Sequence, residues 1–200
     1  MNIPNTLSWI RIVIVPVFIG VFYIERPWTN ELVTGLFAAA AITDWLDGYL
    51  ARRLNQTSAF GAFLDPVADK LVVAAALVLL VQADPRAQVT VPAIIIIGRE
   101  IAISALREWM AMLGQRGSVA VVYMGKIKTV VQMLAISLLL YRDDVGPLPT
   151  YDIGLFCLYG AAVLTLWSMA IYLKAAWPLM AMEVPDGHTD QRQQTGTPKR

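Results

Sequence analysis

Apolar residues run through the chain in six long stretches, at about residues 8–24, 32–50, 64–83, 88–112, 119–141 and 153–177. Each is close to the roughly 20 residues a helix needs to cross a hydrocarbon core of about 30 Å. The segments between them carry helix-stopping residues: ERPWTNE around Pro27, LNQTSAFG after Arg53, ADPRAQ around Pro85, GQRGS from Gly114 to Ser118, and YRDDVGPLPTYD with Pro147 and Pro149. The pattern predicts an all-α integral membrane protein, six transmembrane helices around a polar cavity, with connections short enough to make successive helices antiparallel. Residues 1–180 form this membrane-embedded domain. The remainder, 181–200, lacks aromatic residues and aliphatic periodicity and is expected to be a disordered tail.

Polar positions inside the stretches are not scattered. If the helices alternate in direction, the end of the second, the start of the third, the end of the fourth and the start of the fifth meet at one membrane face. Those ends hold Asp44, Asp47 and Arg52; Asp65, Asp69 and Lys70; Arg99, Glu100, Arg107 and Glu108; and Lys126 and Lys128. Arg11, Arg53, Arg116 and Lys174 fall on the same side, whereas the opposite loops have Arg26, Arg86 and Arg142. By the positive-inside rule the cavity opens to the cytoplasm and both termini lie there.

Composition agrees with the bilayer as solvent. Of 200 residues 57% are hydrophobic and 16% charged, against about a quarter charged in soluble domains, and the mean hydropathy is +0.57. A net charge of +1 without a basic stripe gives no reason to expect nucleic acid as a partner. The one cysteine, Cys157, lies in an apolar run and reads as core filler; the one histidine, His188, lies in the tail and reads as non-catalytic. The N-terminal stretch has no basic residue before Arg11 and no small-residue cleavage site, so a retained helix is expected and not a secretion signal.

Four carboxylates on two spans need a compensating partner, because a charge near the bilayer centre costs roughly 2.5–3.5 kcal/mol on insertion scales. Asp44, Asp47, Gly48, Ala51 and Arg52 follow the i, i+3, i+4, i+7, i+8 series of one helix face, and Gly61, Asp65, Ala68 and Asp69 repeat the device on the next helix. Two facing stripes of acids suit one or two hard cations, Mg²⁺ or Mn²⁺, bound through oxygen. No cysteine or histidine is placed for zinc. Gly48, Ala51 and Gly61 bare the backbone beside the acids, and Arg52 can neutralise a phosphate. Close helix packing would explain the small residues alone but not the acids. Pro66 either sits in the first turn of the third helix or kinks it. A carboxylate-bound cation beside bare backbone and an arginine is what phosphoryl transfer from a nucleotide diphosphate requires.

The eight positions Asp44-x-x-Asp47-Gly48-x-x-Ala51-Arg52, eight residues, Gly61-x-x-x-Asp65-x-x-x-Asp69 resemble the signature of the CDP-alcohol phosphotransferases without a departure. The resemblance implies a six-helix homodimer. It implies two divalent cations, Mg²⁺ or Mn²⁺, on Asp44, Asp47, Asp65 and Asp69, with Asp69 also the general base. The cytidine nucleotide would lie against Asp44, Gly48, Ala51, Arg52 and Gly61.

The stretches MNIPNTLSWIRI, DPVADK, IIIIGREIAISALREW and MGKIKTVVQM extend the likeness, over most of residues 1 to about 135, to the bacterial members that make phosphatidylglycerophosphate. The substrates this implies are CDP-diacylglycerol and sn-glycerol 3-phosphate, with membrane lipids around the protein. Separately, Arg99 and Arg107 lie eight residues apart on one helix face, with Lys126 opening the next helix at the same depth. These three are the expected acceptor-phosphate ligands. The competing reading pairs Arg99 with Glu100 and Arg107 with Glu108 as neutralised structural charges. Lys128 points away from Lys126 on a regular helix and is expected at lipid headgroups. Inositol phosphate, phosphatidylglycerol and serine are the alternative acceptors, serine being disfavoured by a cationic site. A cation transporter would spread its acids through the membrane thickness and break a helix near the midplane; a non-catalytic lipid scaffold leaves Asp69 unexplained.

Overall fold

The structure, a computed structural model, describes residues 3–54, 59–112 and 122–180. Within these, the side chains of 3–8, 44–45, 47–54, 59–63, 65, 122–127, 175 and 178–180 lie outside the described residues. Among the described residues six helices follow one another: α1 Ile3–Phe22, α2 Thr29–Leu54, α3 Ala59–Ala83, α4 Ala87–Met112, α5 Val122–Tyr141 and α6 Thr150–Met180. Within the described residues each apolar stretch falls on one of them, apart from Tyr23 and Ile24, which lie just past α1. The helices commonly run past the apolar stretch into polar residues, because helix length is set by backbone hydrogen bonding and hydropathy only by solvent. Among the described residues three contain segments long and apolar enough to cross a membrane, Pro66–Ala83, Ala87–Met112 and Thr150–Lys174; shorter apolar segments are Trp9–Phe22 and Lys128–Tyr141.

Contacts between helix ends show that successive helices alternate in direction. Tyr23, just after α1, donates to Gln82 near the end of α3 at 2.6 Å. Asn30, at the start of α2, donates to Asp143, just after α5, at 3.3 Å. Gln88 at the start of α4 meets Tyr151 at the start of α6 at 3.4 Å. Side-chain hydrogen bonds from Arg99 to Thr165 and from Arg107 to Tyr172 keep α4 and α6 in step further along.

The core is built from one stripe on each helix. Val33, Phe37 and Ala40 of α2 face α1, where Phe18 meets Phe37 with ring centroids 6.4 Å apart. α3 buries Leu64, Ala68, Val72, Val73, Ala76, Leu77, Leu79 and Leu80. The buried face of α6 is small, Gly154, Leu158, Ala161, Ala162, Thr165 and Ser168, so that α4 and α5 can both pack along it. Cys157 packs against this core, as its apolar surroundings predicted. Among the described residues α4 and α5 make no close backbone approach to each other, and each leans on α6.

The turns are tied by polar side chains. Thr29 is buried at the α1–α2 turn, its hydroxyl donating to the Ile24 carbonyl and accepting from the Arg26 amide at 3.3 Å. In the three-residue α3–α4 link, Arg86 grips both oxygens of Asp84 at 2.7 Å each, and Tyr151 donates to the same carboxylate. Arg142 (φ 64°) and Gly146 (φ 61°) turn the chain between α5 and α6, with Arg142 reversing it just past the helix end. Pro66 lies inside α3 and not in its first turn, so the backbone bond its amide would have made is lost next to Asp65.

Candidate active site

The signature lies on α2 and α3, which pack against each other. α2 is helical through the whole of Asp44 to Arg52, and α3 is helical from Ala59, so Gly61, Asp65 and Asp69 fall in its first half. Unbroken helix makes the i, i+3, i+4 and i, i+4 registers of the acids valid as face assignments. The side chains of Asp44, Asp47, Gly48, Ala51, Arg52, Gly61 and Asp65 lie outside the described residues, as does that of Lys126. Asp69 is partly buried, between fully buried Ala68 and the core positions Val72 and Val73. Among the described residues no three His, Cys, Asp or Glu side chains converge, Asp69 being the one signature acid whose side chain is included. The donor set on α2 and α3 is oxygen throughout, which fits a hard divalent cation and not zinc.

Lys70, next to Asp69, reaches across to α4. Its ammonium donates to Ser104 at 2.5 Å, and Ser104 donates to the Glu100 carbonyl one turn earlier, also at 2.5 Å. The helix bearing the candidate base is thereby fastened to the helix bearing the basic residues.

Arg99 continues the buried stripe of α4 after Val89, Pro92, Ala93 and Ile96. Its guanidinium pairs with Glu100 at 2.9 Å and lies 3.4 Å from the Thr165 hydroxyl. The pairing with Glu100 weighed from the sequence is therefore present, but it does not close the charge balance. Lys128 of α5 also bonds the same Glu100 oxygen, at 2.9 Å, leaving two cations on one carboxylate. The expectation that Lys128 reaches lipid headgroups is corrected here: the residue is 6% exposed and belongs to the interior. It opens the buried stripe Lys128, Gln132, Ala135, Ile136, Leu139, so helical register turns it inward. Arg107 is exposed and pairs with α6 and not with Glu108, donating to the Tyr172 hydroxyl at 2.7 Å with its guanidinium 5.1 Å from the ring centroid.

Sequence reasoning placed Glu100 and Lys128 among the charges at one membrane face but missed the contact between them, and it passed over Thr165 and Tyr172. A signal for Lys128 was available in the spacing to Gln132 and Ala135; threonine and tyrosine in an apolar span carry none. Arg11, read only as a charge on the basic side, is 1% exposed, inside the bundle.

The sequence model of the CDP-alcohol phosphatidyltransferase family matches residues 1–173. The chain is 51% identical over 175 residues to the CDP-diacylglycerol–glycerol-3-phosphate 3-phosphatidyltransferase of Escherichia coli K12, which covers 88% of this chain and 94% of that protein. Similar relatives of the same name occur in Shigella flexneri, at 51% identity and the same coverage, and in Sodalis glossinidius, at 52% identity over 177 residues, 88% of this chain and 95% of the relative. With the signature complete on α2 and α3 and the family match spanning all six helices into α6, the chain belongs to the CDP-alcohol phosphatidyltransferase family.

Proposed function

We propose that the protein transfers the phosphatidyl group of CDP-diacylglycerol to sn-glycerol 3-phosphate, releasing CMP and forming phosphatidylglycerophosphate. The observation that carries this reading is the identity of about half of all residues, over nearly the full length, with relatives named for that reaction. The excess of positive charge between α4 and α5 supports an acceptor that carries a phosphate of its own.

In this reading Asp44, Asp47, Asp65 and Asp69 hold Mg²⁺ or Mn²⁺. The bound cations would neutralise the pyrophosphate oxygens and the charge that develops on the departing CMP. Gly48, Ala51 and Gly61 let the nucleotide lie against bare backbone, and Arg52 pairs with its phosphate. Arg99, Arg107 and Lys126 bind the acceptor phosphate and aim the acceptor hydroxyl at the phosphatidyl phosphorus. Asp69 takes the hydroxyl proton as the new P–O bond forms and the bond to the CMP oxygen breaks. All six helices cross the bacterial inner membrane around a cavity open to the cytoplasm, with both termini on that side, and two copies form a homodimer. The charges of Asp69, Lys70, Arg99, Glu100 and Lys128 support one such polar layer.

Purified protein supplied with CDP-diacylglycerol and Mg²⁺ tests the acceptor directly. Labelled glycerol 3-phosphate should enter lipid with one CMP released per lipid formed, while labelled serine and inositol phosphate should not, and labelled phosphatidylglycerol should not be converted to cardiolipin. Faster incorporation of any of those three would overturn the assignment of the acceptor.

A further inference from the structure

Helices α4 and α5 lean on α6 without a close backbone approach to each other among the described residues, and an ion pair bridges them. One oxygen of Glu100, Oε1, accepts from Arg99 on its own helix and from Lys128 on α5, at 2.9 Å each. Thr165 of α6 lies behind Arg99 at 3.4 Å. Both cationic side chains are nearly closed to solvent, at 8% and 7% exposure, while Glu100 is 29% exposed. Among the described residues Arg99 Nε is buried without a hydrogen-bond partner, and so is Gln132 Oε1, one turn beyond Lys128.

Among the described residues, this cluster of two cations and one anion keeps a unit of positive charge. Sharing one oxygen, the two cations stand within two hydrogen-bond lengths of each other, where like charges repel strongly in a medium of low dielectric. Without the carboxylate the lysine has every reason to leave, since its flexible stem can carry the ammonium to solvent. A carboxylate is otherwise a poor neighbour for a phosphate site, because it competes for the same donors. Its presence here calls for a benefit that outweighs that competition.

We propose that Glu100 is a positioning residue for the acceptor phosphate: through its one shared oxygen it holds Arg99 of α4 and Lys128 of α5 close enough for a single phosphate monoester to bridge. This rests on the reading of Arg99 as an acceptor ligand. The unused donors of both cations and the unpartnered Arg99 Nε are what the phosphate oxygens would take up, while Glu100 keeps the two side chains from separating when the site is empty. Electrostatics alone predicts the opposite consequence of neutralising Glu100, a site with more positive charge and tighter phosphate binding, so the sign of the effect decides.

The test compares Michaelis constants for both substrates in Glu100→Gln, Glu100→Asp, Lys128→Met and Arg99→Gln enzymes, purified into the same lipid–detergent micelles. Glu100→Gln and Lys128→Met should each raise the KM for glycerol 3-phosphate by about tenfold while the KM for CDP-diacylglycerol and kcat stay within about twofold. Glu100→Asp, which keeps the charge, should recover part of the loss, and the double variant Glu100→Gln with Lys128→Met should be no worse than the worse single. A lower or unchanged KM for glycerol 3-phosphate in Glu100→Gln, with a raised one in Arg99→Gln, overturns the positioning role and leaves the acceptor reading standing. An unchanged KM in Arg99→Gln overturns that reading and the proposal with it. A parallel rise in both KM values with falling kcat marks a merely structural role and also overturns the proposal. Should Glu100→Gln fail to fold, Lys128→Met decides alone, an unchanged KM for glycerol 3-phosphate being the overturning result.

Discussion

Arg107 of α4 donates to the hydroxyl of Tyr172 on α6 at 2.7 Å and lies 5.1 Å from its ring centroid, two turns beyond the point where Arg99 meets Thr165 on the same pair of helices. The hydroxyl thus restrains an exposed arginine that would otherwise sample many rotamers. Tyr172→Phe keeps the ring and removes that restraint. The KM for glycerol 3-phosphate should rise by about three- to tenfold, in keeping with the loss of about 1 kcal/mol for such a bond. Unchanged acceptor kinetics would take Arg107 out of the acceptor site.

Asp69 tests the reaction itself. Asp69→Asn keeps size and polarity but cannot take a proton, so kcat should fall by at least about a hundredfold. The protein should still fold, as judged by its thermal transition and elution profile. Normal synthesis by this variant would remove Asp69 as the base.

An all-oxygen donor set predicts a response to hard cations. Chelation should abolish synthesis, and Mg²⁺ or Mn²⁺ should restore it. Because a ligand that binds only the folded state stabilises it, either cation should also raise the unfolding temperature of the wild type, with a smaller rise in Asp44→Asn. Full activity after exhaustive chelation would contradict the assignment of the four aspartates.

Gly154 offers a test of packing without chemistry. A Cβ there would come 3.0 Å from Leu138 Cβ and 3.0 Å from Leu139 Cγ, and the first of these is anchored directly to the α5 backbone. Gly154→Ala should force α5 and α6 apart at a cost of about 1–3 kcal/mol, seen as a lower unfolding temperature in detergent. A variant as stable as the wild type would mean that α5 yields more readily than its contacts imply.

The α3–α4 link should respond to pH. The Arg86 guanidinium, hydrogen-bonded to Asp84, holds that carboxyl well below its ordinary value of 3.8, with the Tyr151 hydroxyl adding to the effect against the opposing cost of burial. A folded-state pKa below the unfolded one contributes stability that is present above about pH 4 and is lost as the pH falls toward the folded value. Asp84→Asn should therefore unfold at a lower temperature than the wild type at pH 7, and the gap should narrow as the pH is lowered below about 4. A constant gap across that range would show that hydrogen-bond geometry, and not the charge, provides the stability.

Much of this organisation is legible in the sequence because membrane burial imposes long apolar runs, and six such runs became six helices. The ends were unevenly legible: the break expected after Arg53 agrees with α2 running to Leu54, whereas α3 starts at Ala59, inside the LNQTSAFG segment expected to interrupt the helices, since polar residues do not stop a helix whose backbone is paired. The signature was legible from fixed spacing alone. The acceptor side was only half so. Arg99 and Arg107 stood out by charge, yet their partners Thr165 and Tyr172 come from a helix more than sixty residues away, and no local pattern marks that pairing. Lys128 was misread because its relation to Lys126 was considered and its relation to Gln132 and Ala135 was not.

The tight turns linking these helices also make each helix a ruler. Asp69, Arg99, Lys128 and Thr165 stand twelve to fifteen residues from the ends of α3, α4, α5 and α6 that meet at the Asp84 and Asp143 turns. At about 1.5 Å per residue, each is about 18–23 Å along its own shaft. Four independently counted lengths agree, which is why groups from distant parts of the chain arrive at one level. A residue inserted in the turn after Arg142 changes none of these lengths. One inserted between Val72 and Ala83 lifts Asp69 by only about 1.5 Å but swings it about 100° around the shaft, pointing it out of the layer altogether.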